Sequence, residues 1–174
     1  MSYMIKSPNA QHVKFAHIYM ASSMTNLVIS PSSSVSNRKS LFDSINASSG
    51  IGITVSSGNI TLSAKDYMIY VVPNVDQVMV SNALPGVSTI TLTLLLNGTE
   101  IENQVKAETR STASGLGSSS MTHLGFSTIS ANSGDILTLE MYANNTSTTT
   151  NLTIKEVGNT NSDPHSLFIW EIDR

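Results

Sequence analysis

The chain has 174 residues, a formal net charge of −3 and no cysteine. This length suits one domain, and the lack of cysteine excludes a disulfide framework and a thiolate metal site. Charged residues make up only 12% of the chain, about half of the usual share. Serine, threonine and asparagine fill the gap, and no basic patch is present, so nucleic-acid binding is not expected.

The first twenty residues, MSYMIKSPNAQHVKFAHIYM, lack a basic segment followed by a continuous apolar run. We therefore expect no signal peptide. No stretch reaches the roughly 20 apolar residues that a membrane-spanning helix needs, so membrane insertion is not expected either. We divide the chain into an N-terminal docking segment, residues 1–11, and a single domain, residues 12–174. Within the segment, the candidate docking residues are Tyr3, Met4 and Ile5.

Strand patterns follow one another along the chain, and helix patterns are almost absent. The one helix candidate is NRKSLFDSIN, residues 37–46, where Leu41, Phe42 and Ile45 fit either a single helical turn or a short strand. An Asn97–Gly98 pair predicts a tight hairpin turn between two strands, and Ser56-Ser57-Gly58 predicts another turn. The predicted strands are residues 12–20, 50–55, 59–62, 67–72, 88–98, 99–109, 120–130, 135–143, 150–157 and 166–172.

About ten short strands separated by Gly, Ser, Asn and Pro predict an all-β, antiparallel sandwich or barrel. The missing crossover helices exclude a parallel α/β fold. Two strands are apolar on both faces: residues 67–72 and residues 166–172. Residues 12–20 alternate in the same way, with Phe15, His17 and Tyr19 opposite Ala16, Ile18 and Met20. A soluble monomer would expose one of these faces as a large apolar patch, so we expect contact between subunits.

Two segments carry a family resemblance: GNITLSAKDYMIYV (58–71) and SANSGDILTLEM (130–141), with an L-x-x-N-G hairpin between them. They resemble the jelly-roll domain of the tumour necrosis factor superfamily and the globular head of the first complement component. The resemblance is greatest to the compact versions found in bacteriophage structural proteins and bacterial surface fibres, and it covers about residues 12–172. It departs from the family at Lys65–Asp66, which replace a glycine at a strand corner, so this corner is expected to be built differently.

The resemblance implies a jelly-roll sandwich whose first and last strands lie side by side in a sheet packed around a threefold axis. It therefore implies a homotrimer. The last strand of the family could correspond to residues 166–172 or to residues 150–157. We prefer the first, because Phe168 and Trp170 share one face. The predicted trimer-interface residues are Phe15, His17, Tyr19, Tyr70, Phe168 and Trp170.

Residues suited to catalysis or metal binding are scattered. The four histidines are His12, His17, His123 and His165, and the first two fall on opposite faces of one strand. We expect His17 to be a hydrogen-bonded interface residue; the alternative is that three copies meet on the axis and bind a cation or sense pH. The acidic residues sit at predicted corners, and no G-x-S-x-G elbow is present. We predict no catalytic residue, no metal and no cofactor.

These features predict a non-enzymatic structural protein of a phage or virus particle. It would be a trimeric capsid decoration or head-fibre knob, made in the host cytoplasm, displayed on the virion surface and attached to capsid or other virion proteins through residues 1–11. One alternative is the receptor- or glycan-binding tip of a tail fibre or spike, and another is a bacterial surface or spore-coat module. The candidate ligand residues lie in three polar loops: Ser32, Ser33, Ser34, Ser118, Ser119, Asn144 and Asn145.

Overall fold

The structure is a computed structural model. It describes residues 14–20, 24–29, 39–40, 42, 44–72, 75–80, 87–101, 106–112, 125–145, 152–157 and 166–172. All regular elements in these ranges are strands. Correspondingly, this part of the chain holds no helix long and apolar enough to cross a bilayer.

The described residues form fifteen strands, five more than the ten predicted. Residues 24–29, 39–40, 44–49 and 75–80 were not among the predicted strands, and the predicted strand 99–109 contains two separate strands. In chain order they are β1 (Phe15–Tyr19), β2 (Met24–Ile29), β3 (Lys39–Ser40), β4 (Ser44–Ser49), β5 (Thr54–Ser56), β6 (Asn59–Thr61), β7 (Lys65–Val72), β8 (Val75–Val80), β9 (Val87–Leu96), β10 (Thr99–Glu100), β11 (Lys106–Thr112), β12 (Gly125–Ala131), β13 (Ile136–Asn145), β14 (Leu152–Val157) and β15 (Ser166–Ile172). The helix candidate at 37–46 contributes to β3 and β4, so the short-strand alternative holds there.

One layer, which we call the front sheet, consists of β12, β7, β15, β1 and β4. β7 pairs antiparallel with β12 and β15, and β1 pairs antiparallel with β4. The backbone nitrogen of Glu171 donates a hydrogen bond of 3.0 Å to the carbonyl oxygen of Lys14, which joins β15 to β1. The first and last described strands are therefore neighbours, and residues 166–172 rather than 150–157 form the terminal strand of this sheet.

The opposite layer, the back sheet, is built around the antiparallel pair β9 and β13. β10 and β11 extend it beyond β9, while β6 and β3 pair with β13, and β5 pairs with β6. A separate three-stranded antiparallel sheet has the order β2, β14, β8. The front and back sheets thus form an antiparallel two-layer sandwich.

The core lies between the front and back sheets. Ile18, Ile69 and Ile169 come from the front sheet and are fully buried. Ile60, Leu92, Leu94, Leu137 and Leu139 come from the back sheet and are buried to at least 99%. Tyr67 is also fully buried, and its hydroxyl lies 2.7 Å from Ser63 Oγ, so its polar atom is satisfied inside the core.

Both predicted tight turns are present. Ser57 and Gly58 have φ of 51° and 79°, and they join β5 to β6. Asn97 and Gly98 have φ of 51° and 77°, and they join β9 to β10. Two successive positive φ angles define the turn type that matches the twist of a hairpin, and Asn-Gly is the preferred pair for it.

The corner expected at Lys65–Asp66 is not there, because both residues belong to β7. Lys65 Nζ lies 3.2 Å from Glu171 Oε1 on β15, and Ser130 Oγ on β12 donates a hydrogen bond to Asp66 Oδ1. Each residue therefore ties β7 to one of its two neighbours, where a glycine could make neither contact.

Candidate assembly surface

The outward face of the front sheet carries a cluster of large side chains. We call it the aromatic face, and it consists of Phe15, His17, Tyr19, Met68, Tyr70, Phe168 and Trp170. All seven are half-buried, while the residues between them on β1, β7 and β15 are buried in the core. Strand alternation creates this arrangement, since successive side chains point to opposite sides of a sheet. The chain thus places rings on the side of the sheet that faces away from its core.

Phe168 is at the centre of this face. Its ring stacks on the imidazole of His17, with 4.4 Å between centroids and 7° between planes. The ring of Trp170 stacks on Phe168 as well, with 5.9 Å between centroids and 17° between planes. Tyr70 approaches Phe168 at 6.1 Å in a tilted arrangement, and Tyr19 approaches His17 at the same distance. Five rings from three strands therefore form one connected, preorganised group.

His17 is held by a hydrogen bond as well as by stacking. Its Nε2 lies 2.9 Å from the hydroxyl of Ser166, which is 3% exposed. Burial lowers the pKa of His17 below its ordinary value of 6.5, so the ring is neutral at neutral pH. This is the hydrogen-bonded histidine predicted as the default. Among the described residues, no group of three His, Cys, Asp or Glu side chains is placed to hold a metal ion.

Three charged residues of the front sheet lie on the side opposite the aromatic face. Glu171 Oε1 lies 2.8 Å from Lys14 Nζ and 3.2 Å from Lys65 Nζ, which links β15, β1 and β7. By alternation, all three residues sit on the side of the sheet opposite the rings. The hydrogen bond from Lys14 is the main cause of the lowered pKa of Glu171, and Lys65 adds to it. The glutamate is thus a charged link between strands.

One carboxylate does share the outward face. Asp66 lines a shallow depression together with Thr128, Ser130 and Ile172, at the end of the sheet near the last residue of β15. Because Asp66 accepts a hydrogen bond from Ser130, the carboxylate is engaged within the chain. Among the described residues that line the depression, Asp66 is the one with an ionisable side chain.

The structure brings all six predicted interface residues onto the aromatic face. Met68 and Ser166 were not predicted to belong to this site. Strand alternation could have found them, because Met68 lies two residues from Tyr70 and Ser166 lies two residues from Phe168. Asn144 and Asn145 were expected in a loop, but they are the last two residues of β13, paired with Thr89 and Ser88. The remaining predicted positions lie outside the described residues: Tyr3, Met4, Ile5, His12, Ser32, Ser33, Ser34, Ser118, Ser119, His123 and His165.

No protein-family model and no curated protein matches this chain. Solved structures do resemble it. Murine APRIL, in a crystal structure at pH 5.0, superposes with a TM-score of 0.52 at 9% identity, over 92% of this chain and 99% of that one. Eiger TNF from S. frugiperda covers 92% of this chain and 93% of its own, at 12% identity and a TM-score of 0.48. The chain therefore has the fold of a tumour-necrosis-factor-like jelly roll.

Proposed function

We propose that the chain is a non-enzymatic jelly-roll module that assembles as a homotrimer through its aromatic face. The single observation that carries this proposal is the connected group of half-buried rings around Phe168. Stacking them on a neighbouring copy would remove apolar surface from water, which contributes about 25 cal/mol per Å². Aromatic side chains are also the residues that dominate interface energies.

The position of the face supports an assembly of three copies. It lies on the sheet that holds both the first and the last described strands, and this is the sheet that the family resemblance places around a threefold axis. The surface suits such packing, because Lys14, Lys65 and Glu171 point to the other side of the sheet and Asp66 lies at its end. Few charges would have to be desolvated, so little of the favourable energy is lost on burial.

We further propose that the trimer sits on the exterior of a phage or viral particle, as a capsid decoration or a head-fibre knob. The charge-poor, serine-, threonine- and asparagine-rich composition and the absence of cysteine support this location. Residues 1–11 would attach the trimer to capsid or other virion proteins through Tyr3, Met4 and Ile5. In the sequence these residues precede Lys14, whose carbonyl oxygen accepts a hydrogen bond from the backbone nitrogen of Glu171 on β15.

The location is tested with particles purified from the organism that encodes the chain. Mass spectrometry should find the chain in stoichiometric amounts, and cryo-electron microscopy should show trimeric knobs on the surface. A chain lacking residues 1–11 should still form trimers but should not bind to particles stripped of the native protein. Absence of the chain from particles would overturn the location. Binding of the trimer to host cells or glycans, together with density for the chain only at the tail tip, would favour a receptor-binding tip instead.

A further inference from the structure

The turn between β9 and β10 is held by the turn between β12 and β13. Asn97 Nδ2 donates a hydrogen bond of 2.9 Å to Asp135 Oδ1, and Asn97 Oδ1 accepts one of 2.9 Å from the backbone nitrogen of Ile136. The backbone nitrogen of Asn97 also donates to the carbonyl oxygen of Ile136, at 2.8 Å. Both polar atoms of the Asn97 carboxamide are therefore bound by residues from elsewhere in the chain.

The carboxylate of Asp135, which accepts the hydrogen bond from Asn97, is itself held in place. Asp135 Oδ2 accepts a hydrogen bond of 2.8 Å from the backbone nitrogen of Asn132, and Gly134 provides a φ of 90° in the same turn. The amide of Asn97 is the main cause of the lowered pKa of Asp135, so the aspartate is charged at neutral pH. A charged acceptor gives a stronger hydrogen bond than a neutral one.

Asn97 and Gly98 form the one Asn-Gly sequence in the chain. An asparagine followed by glycine is chemically labile, because no side chain hinders attack by the next backbone nitrogen. That nitrogen bonds to Cγ of the asparagine, the Cγ–Nδ2 bond breaks, and ammonia leaves a cyclic imide. Water then opens the ring to aspartate or to isoaspartate. Here a Cβ added at Gly98 would meet nothing within 4 Å, so the position is open to solvent.

We propose that Asn97 is a deamidation site that the native fold protects by holding its carboxamide against Asp135 and Ile136. Attack by the Gly98 nitrogen requires Cγ of Asn97 to approach that nitrogen, and the two hydrogen bonds of the carboxamide oppose this movement. Local opening of the two turns releases the carboxamide and starts the reaction. The modification is therefore linked to the loosening of this end of the back sheet.

The product prevents the turns from closing again in the same way. An aspartate at position 97 faces Asp135 across a contact that was a hydrogen bond of 2.9 Å, so an attraction becomes a repulsion between carboxylates. Isoaspartate adds a methylene to the backbone of a two-residue turn whose geometry fixes the strand register. Deamidation would thus be a one-way change that leaves the β9–β10 hairpin less stable.

Peptide mapping by mass spectrometry tests the protection. The full-length native chain, the same chain unfolded in urea, and the variants Asp135→Ala and Ser133→Ala are incubated at neutral pH, and deamidation at position 97 is followed over time. We expect slow reaction in the native chain and in Ser133→Ala, which alters the same turn without touching Asn97. In Asp135→Ala we expect a rate about tenfold higher, the factor that corresponds to one lost charge-assisted hydrogen bond.

Two outcomes would overturn the proposal. One is deamidation of the native chain as fast as in urea. The other is an unchanged rate in Asp135→Ala when circular dichroism shows an intact fold. If Asp135→Ala does not fold, Asn97→Asp and Asn97→Gly take its place. Both variants lose the amide, but only Asn97→Asp places a second carboxylate beside Asp135. The melting temperature of Asn97→Asp should therefore be lower than that of Asn97→Gly at neutral pH. The two melting temperatures should converge in acid, where the carboxylates at positions 97 and 135 become protonated. Equal melting temperatures at neutral pH would contradict the account.

Discussion

The imidazole of His17 and the phenyl ring of Phe168 lie face to face, with 4.4 Å between their centroids. The two residues are far apart in sequence, but β1 and β15 are adjacent in the front sheet. Their stacking joins the beginning and the end of the described chain on the side of the sheet that faces away from the core. This contact is the centre of the aromatic face.

Phe168→Asp should convert the proposed trimer to a monomer without unfolding the sandwich. Position 168 is half-buried in a single chain, so a carboxylate there remains solvated in the monomer but would be desolvated in the assembly. Size-exclusion chromatography with light scattering measures the change. The matched control is Thr54→Asp, an exposed position on β5 of the back sheet, which should leave the trimer intact.

The adjacent residue separates assembly from folding. Ile169 is fully buried between the sheets, and Ile169→Ala should lower the free energy of unfolding by about 2–5 kcal/mol. If Phe168→Asp destabilised the chain as much as Ile169→Ala does, Phe168 would be a core residue and the aromatic face would lose its assigned role.

Acid should weaken the native state through His17. Burial lowers its pKa below 6.5, so protonation is favoured in the unfolded chain. The stability it contributes is present above pH 6.5 and is lost as the pH falls through the lowered pKa. We expect the urea concentration at the unfolding midpoint to decrease as the pH is lowered from about 8 to about 5. The decrease should be smaller in His17→Phe, which keeps an aromatic ring for stacking but does not titrate. Equal pH dependence in both chains would contradict the prediction, since the other three histidines are unchanged.

Glu171→Gln should weaken the connection between β1, β7 and β15. The variant keeps the size of the side chain but removes the charge that two lysines share. Because the lysines are 40% and 47% exposed, solvent screens the ion pairs, and we expect a loss of only about 1–2 kcal/mol in the free energy of unfolding.

The same pair of chains gives a test by pH. The lowered pKa of Glu171 means that its contribution is present above its ordinary value of 4.5 and disappears as the pH falls through the lowered value. The difference between wild type and Glu171→Gln in chemical denaturation should therefore vanish in acid. A difference that persists there would mean that shape rather than charge explains the loss.

Thr93→Val should stabilise the back sheet. Thr93 is fully buried, and its Oγ1 has no hydrogen-bond partner among the described residues. Valine has almost the same shape without the polar atom, so we expect a gain of about 1 kcal/mol in thermal or urea denaturation. Thr138→Val is the control. Thr138 Oγ1 donates a hydrogen bond to Glu140, so its removal should lower the stability. A loss of stability in Thr93→Val would show that its hydroxyl is satisfied after all.

Much of the fold could be predicted from alternation and turn chemistry. The Asn97–Gly98 hairpin and the two-faced strand at 67–72 follow from local patterns, and both are present. What could not be predicted was the start of β7. The family resemblance placed Lys65 and Asp66 at a corner, but contacts with Glu171 and Ser130, more than sixty residues away, hold them in the sheet. Local sequence carries no signal for such pairs.

The candidate surface shows the same limit. Phe168 and Trp170 could be assigned to one face because they are two residues apart in a strand. The hydrogen bond between His17 and Ser166 could not be predicted, because it depends on β15 lying beside β1 in a particular register. Adjacency of the terminal strands came from the family resemblance, and the ring geometry came only from the structure.

The central claim is that copies of this chain cover one another's aromatic faces. The most direct test is the molar mass of the purified full-length chain in solution, measured by light scattering at neutral pH. The account predicts three times the mass of one chain for the wild type and a single chain mass for Phe168→Asp. A wild-type chain that is monomeric at micromolar concentration, with the circular dichroism of a folded β-sandwich, would contradict it.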